Sequence, residues 1–238
     1  MKIKNLMLFT YDFPHKKTQD FIVRLYAEGY KVTYVIGAPR KKLNIAKSKF
    51  RLSPHNVGLV HPHKLCQALG ITYLRSSHES KKTIKYLISH PVDLYIVSGA
   101  RILPEKVIKA ANNRILNIHP GMLPEVRGLD TLLWSIHYDV PLGLSAHFIS
   151  SKIDSGLFIF KEKLFLDKDD TIIEVSLRLL ESQTDFLLKT LKKLKGLKMS
   201  QLKDQNAYPN PYNTKMPEKL EGKTIKMFNK WLKKFSRK

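Results

Sequence analysis

Short β-branched and aromatic runs alternate with amphipathic stretches over the first two-thirds of this chain, which limits its possible folds more than any other feature. KNLMLFT, KVTYVIG, ITYL, VDLYIVSG, ILNIH and GLSAHFIS read as strands. HKKTQDFIVRLYAEG, HKLCQALG, SSHESKKTIKYLISH, PEKVIKAANN and TLLWSIHYD read as the helices between them. In the first of these, Phe21, Leu25 and Tyr26 fall on one face and Gly29 is the stop. The uninterrupted apolar run VDLYIVSG suits a strand covered on both sides. The pattern predicts an α/β fold, a Rossmann-like, mostly parallel sheet with helices on both faces.

GLFIFKEKLFL is a later extended segment, and one long amphipathic helix runs from Thr171 to a stop at Gly196. The composition then changes. QNAYPNPYNTKMP reads as loop. GKTIKMFNKWLKKFSRK sets Ile225, Phe228, Trp231, Leu232 and Phe235 at helical spacing among lysines. Such a helix can lie on anionic lipid, but packing on its own domain or on a partner subunit is the expected use of its stripe. Residues 1–196 are therefore read as the main domain and 197–238 as a C-terminal loop with a basic amphipathic helix.

With 238 residues, 43% of them hydrophobic, the chain has material for a sizeable core. No apolar run approaches the roughly 20 residues that span a bilayer. MKIKNLMLFT lacks a long apolar h-region and a small-residue cleavage site, so it is read as a first strand and not a signal peptide. Cys66 is the only cysteine. It allows no intrachain disulfide and no multi-cysteine metal site; no metal is expected, and a reducing cytoplasm fits. The excess of 42 Lys+Arg over 20 Asp+Glu, a formal +22, favours anionic partners. It is mostly lysine without an Arg- or Gly-rich tract, so scattered solvated lysines account for it better and no DNA partner is expected.

The first strand runs into FTYDFPHKKT, with no Gly-x-Gly-x-x-Gly, and there is no Gly-x-x-x-x-Gly-Lys-[Ser/Thr]. Neither glycine-rich phosphate cradle is present. His-Glu-x-x-His and Gly-x-Ser-x-Gly are also absent. What remains is the end of ILNIH, because open α/β sheets bind ligands at the carboxyl ends of their strands. Asn117 and His119, two residues apart, point to the same side of a strand, and Pro120 fixes the exit. An amide can donate to a developing oxyanion and an imidazole can shuttle a proton or stabilise charge. KIDSG supplies Asp154, a carboxylate able to orient the imidazole. Taken alone, Asn-x-His has a simpler use, in which Asn117 caps a turn and His119 satisfies a buried carbonyl.

NIHPGMLPEVRG, then Trp134, then GLSAHFISSKIDSG resembles the signature of the 10-formyltetrahydrofolate-dependent formyltransferases, most of all the nucleotide-sugar N-formyltransferases. The preceding VDLYIVSGARILPEKVI is similar to the family's strand, loop and helix beside the pterin. The resemblance implies 10-formyltetrahydrofolate as co-substrate. It makes Asn117 and His119 the holders of the oxyanion, and Asp154 the group that orients His119 and helps take the amine's proton. The pterin is expected against Ser98, Gly99, Ala100, Arg101 and Ile102, largely through backbone. Arg127 is expected to meet phosphate or substrate, and His147 to support Asp154.

The resemblance also bears on the amine. LMLFTYDFP stands where glycinamide ribonucleotide enzymes carry a glycine-rich phosphate loop. About forty residues follow Gly196, short of the second domain of the tRNA enzymes. AYPNPYNTKMP is similar to the Tyr/Pro segment of sugar N-formyltransferases, so Tyr208 or Tyr212 is expected to stack on a nucleotide base. The expected reaction is formylation of a dTDP- or GDP-linked 4-amino-4,6-dideoxy sugar for surface polysaccharide (O-antigen, lipopolysaccharide) synthesis. A homodimer is expected, through GLFIF or the C-terminal stripe. The alternatives are a formyltetrahydrofolate hydrolase, a methionyl-tRNA or glycinamide ribonucleotide formyltransferase, and a non-catalytic protein binding anionic ligands. RGLDTLLW lacks a proline common in the family's helix lead-in, and Asp130 is the expected cap there.

Overall fold

A computed structural model describes residues 2–41, 58–204 and 212–237. Its elements run β1 (Asn5–Tyr11), α1 (Lys16–Ala27), β2 (Lys31–Ala38), α2 (Pro62–Ala68), β3 (Thr72–Arg75), α3 (Lys81–Ser89), β4 (Leu94–Val97) and α4 (Glu105–Ala110). They continue with β5 (Ile115–His119), α5 (Thr131–His137), β6 (Gly143–Phe148), β7 (Leu157–Lys163), α6 (Ile172–Lys195), β8 (Lys203–Asp204) and α7 (Glu218–Phe235).

Eight strands form one sheet in the order β3-β2-β1-β4-β5-β6-β7-β8. The five from β3 to β5 are parallel, each joined through a helix. Beyond β5 the direction reverses, and β6, β7 and β8 each pair antiparallel with their neighbour. The mostly parallel half is the part that βαβ alternation forecasts. The antiparallel half follows from GLSAHFIS and GLFIFKEK, which are joined without a helix and so fold back on each other.

Side-chain alternation along the strands splits the core in two. Leu6, Leu8, Val35, Ile96, Leu116 and Ile118 pack on one side against α1, α6 and α7. Met7, Phe9, Ile36, Tyr95 and Ile115 pack on the other against α3 and α4. Helices thus cover both faces. On α1 the buried residues are Thr18, Phe21, Ile22 and Leu25. Tyr26, expected inside, is 58% exposed. A 3.6-residue repeat runs from 18 through 21, 22 and 25, and Tyr26 lies one step past that stripe. The long helix α6 opens on a capping box. Thr171 Oγ1 accepts from the Glu174 N–H at 3.2 Å, and Glu174 Oε2 accepts from the Thr171 N–H at 2.7 Å.

The segment after Gly196 adds β8 to the same sheet and α7 to the same core. Phe228, Trp231 and Leu232 are buried in the main cluster, and Trp231 Nε1 donates to the Val140 carbonyl at 2.8 Å. Phe228, Trp231 and Leu232 of the α7 stripe are therefore spent within the chain. Asp130 precedes α5 but makes no capping bond with its side chain. It sits at φ 50°, and its Oδ2 accepts from the Met216 N–H at 2.9 Å. In place of the expected cap, it ties the C-terminal segment to the start of α5. No helix among the described residues is long and apolar enough to cross a membrane.

Candidate active site

The carboxyl end of β5 lies at the seam between the parallel and antiparallel halves. Asn117 and His119 project from it to the same side, and β6 sets His147 opposite Asn117 and Ser145 opposite His119. The loop after β6 brings in Asp154. Its Oδ2 lies 3.5 Å from His119 Nδ1, and its Oδ1 lies 3.8 Å from His147 Nε2. The three groups singled out in the sequence therefore meet, with His147 as a fourth.

Hydrogen bonding fixes how each group is presented. His147 Nδ1 lies 3.3 Å from the carbonyls of Phe148 and Ser155, so it donates there. Its Nε2 is then the acceptor, and the Asn117 amide nitrogen, 3.2 Å away, donates to it. Burial pushes the His147 imidazole down to about 4; Asp154 pulls it back up and His119 adds to the fall. A neutral His147 locks the Asn117 amide with its nitrogen inward and leaves that nitrogen a second N–H to offer.

His119 is 3% exposed, and its Nε2 donates to the Val126 carbonyl at 2.9 Å. Satisfying a buried carbonyl is the simpler use weighed above, and His119 does that as well as facing Asp154. Oxygen acceptors thus face both of its nitrogens. Gly121 makes room for it. A Cβ there would stand 2.8 Å from His119 Nε2 and 3.0 Å from the Val126 oxygen. Ser145 steadies the same loop by donating to the Gly121 carbonyl and accepting from the Leu123 N–H.

Asp154 sits at φ 45°, a left-handed conformation that Asp tolerates better than most residues. Two neighbours hold it. The Gly128 N–H donates to its Oδ2 at 2.7 Å, and Arg127 donates through Nε and Nη2 to the Ile153 carbonyl. Arg127, expected to meet phosphate or substrate, is buried here and directs those N–H groups at the Asp154 loop.

The expected pterin wall is placed at the ends of β1 and β4. Ser98 is buried, and its Oγ and N–H both donate to the Phe9 carbonyl. The Gly99 N–H donates to the same carbonyl, and the Ala100 carbonyl accepts from the Tyr11 hydroxyl. Arg101 donates to the Pro39 carbonyl, and Ile102 is the exposed member at 71%. Tyr212 is 48% exposed beside Asn213, which exchanges backbone bonds with Arg127 and Leu129. Gly128 permits that pairing, because a Cβ on it would meet the Asn213 backbone. Tyr208 lies outside the described residues.

Sequence reasoning missed Lys17. From the first turn of α1 its Nζ donates to the Ile118 carbonyl at 3.0 Å, between Asn117 and His119. Desolvation lowers its ammonium to about 8, with Asp154 pulling the other way. Nothing local marks it among 42 basic residues.

Residues 14–191 match the family model described as formyl transferase. The chain belongs to the formyl transferase family. Among the curated relatives of this formyl transferase, a methionyl-tRNA formyltransferase of Caldanaerobacter subterraneus subsp. tengcongensis is 27% identical over 195 residues, covering 81% of this chain and 62% of the relative. A GDP-perosamine N-formyltransferase of Brucella melitensis is 25% identical over 142 residues, covering 59% and 54%. The chain thus spans between half and two-thirds of the length of these relatives. The solved sugar N-formyltransferase from Shewanella sp FDAARGOS_354 superposes with a TM-score of 0.61 at 21% identity, covering 90% of this chain and 78% of that one. That likeness is one of fold.

Proposed function

We propose that this formyl transferase moves a formyl group from 10-formyltetrahydrofolate to the amine of a nucleotide-linked 4-amino-4,6-dideoxy sugar. The meeting of Asn117, His119 and Asp154 at one strand end carries this reading. One oriented amide, one imidazole and one carboxylate suit amine attack on a formyl carbon. The folate would supply the formyl group, with Ile102 as the exposed apolar member of the wall expected for its pterin. The second N–H of Asn117 donates to the formyl oxygen as charge develops there. His119, held between the Val126 carbonyl and Asp154, helps to hold the same oxygen. Asp154 takes the proton that the attacking amine loses, and that proton would pass to the folate nitrogen as its bond to the formyl carbon breaks.

Two features favour a nucleotide sugar as acceptor. The segment after β1 lacks a glycine-rich phosphate loop, and the half-exposed Tyr212 lies beside the loop that holds Asp154. Tyr212 then stacks on the base, a contact worth about 1–3 kcal/mol. Tyr212→Ala is expected to weaken nucleotide-sugar binding roughly tenfold or more; unchanged affinity removes it from the site.

The test of the reaction is incubation with 10-formyltetrahydrofolate and a panel of dTDP-, GDP- and UDP-linked 4-amino sugars, read by the mass gain of one formyl group. The expected result is one product, with kcat lowered about 10²–10³-fold in Asn117→Ala and in His119→Asn. Formate release without any amine acceptor points instead to the hydrolase.

A further inference from the structure

We propose that Lys17 is a positioning residue of the transfer site, its ammonium holding the Ile118 carbonyl between Asn117 and His119 and balancing the charge of Asp154. The chemistry rests on the function proposed above. The geometry does not.

Lys17 reaches β5 from a helix 101 residues earlier in the chain, with a 3.0 Å bond to Ile118. That bond fixes the Ile118–His119 peptide plane, and so the angle at which His119 leaves the strand. The charge has its own part. His147 is neutral and accepts from Asn117, so it offers Asp154 no positive charge. Lys17 reaches Asp154 with positive charge from α1. His15, in the lead-in to the same helix, feels the Lys17 charge, and the Phe21 ring lies 5.2 Å from Lys17 Nζ. Burial opposes the ammonium and Asp154 supports it.

The two parts come apart as pH rises. A neutral amine still donates to Ile118, but it no longer balances Asp154. The ammonium is full below about 8 and lost above it. The kcat of the wild-type protein is therefore expected to fall through that pH. Lys17→Met lowers kcat at neutral pH roughly tenfold, a barrier change the size of a displaced charge, and abolishes the falling limb. Lys17→Arg keeps the charge, recovers part of the rate and carries the limb to higher pH. A Lys17→Met enzyme with the wild-type limb, or a Lys17→Arg enzyme whose limb does not move, overturns the proposal.

The charge pair is also read without turnover. In protein carrying ¹³Cε-labelled lysine, the Lys17 signal is the one lost in Lys17→Arg. It is expected to titrate near 8, and lower still in Asp154→Asn. A Lys17 that titrates with the surface lysines, or that ignores Asp154→Asn, overturns the pairing whatever the activity. A wild-type protein that makes no formylated product, but whose Lys17 responds to Asp154, sinks the functional reading alone.

Discussion

His147 shows how one buried side chain couples this site to stability. Its native pKa is about 4, and an unfolded histidine titrates near 6.5. Between those values the unfolded chain holds a proton that the native state refuses, so acid favours unfolding. The stabilisation is complete above about 6.5 and is lost as pH falls through about 4. The shift corresponds to on the order of 3 kcal/mol. His15, also lowered to about 4 and chiefly by burial, acts in the same direction. Urea unfolding between pH 7 and 4 is expected to show this loss in the wild-type protein and a shallower one in His147→Gln. Parallel curves for the two proteins contradict the assignment. At this scale Asn117, His119 and Asp154 could be singled out in the sequence as polar groups at a strand end and in the loop after the next strand, but their grouping as one site came from the family resemblance and not from spacing alone. Lys17 could not be singled out. Its meaning lies in a contact across 101 residues, and no local pattern distinguishes a lysine aimed at a carbonyl from one in water.

At the scale of elements, local patterns announced what local forces build. The helix stops, the strand runs and the stripe of α7 all follow from periodicity and turn residues within a few positions. Partner choice is what they left open. Asp130 looks like a cap because it precedes a helix, but its carboxylate binds Met216, 86 residues away. The segment from Tyr212 to Met216 is laced to the site by further bonds. Trp134 Nε1 donates to the Thr214 carbonyl, and the Tyr138 hydroxyl donates to Asn213 Oδ1. Asp130→Ala orphans the Met216 N–H and places alanine at positive φ, a loss of about 1–3 kcal/mol. Faster amide exchange over 213–216 is expected, with a several-fold higher KM for the amino substrate and little change in kcat. Asp130→Asn keeps an acceptor and tolerates the backbone, so it should sit close to wild type. Equal behaviour of the two variants argues that the segment is held by something else.

The strands among the described residues form a single sheet, and the C-terminal helix is built into its main core despite the compositional break after Gly196. Trp231 lies in the same cluster as Leu6 and Leu8 of the first strand. Trp231→Ala is expected to cost about 3–5 kcal/mol and to lower Tm by roughly 10 °C. Far-UV and near-UV signals should move together in one transition. A two-step melt, with a helical fraction lost first, would mean that residues 197–238 form a separable unit after all. The reversal of direction between β5 and β6 has a consequence in time. Contacts close along the chain form sooner than distant ones, because less loop entropy is spent in closing them. The pair β6 and β7 is a local hairpin, while β1 must await β4 from the far side of α1, α2 and α3. Asn117 stands on the slow half and His147 on the quick one. The amide is therefore aimed only when both halves have met. A chain in which one half alone has folded presents no assembled cluster of Asn117, His147 and Asp154.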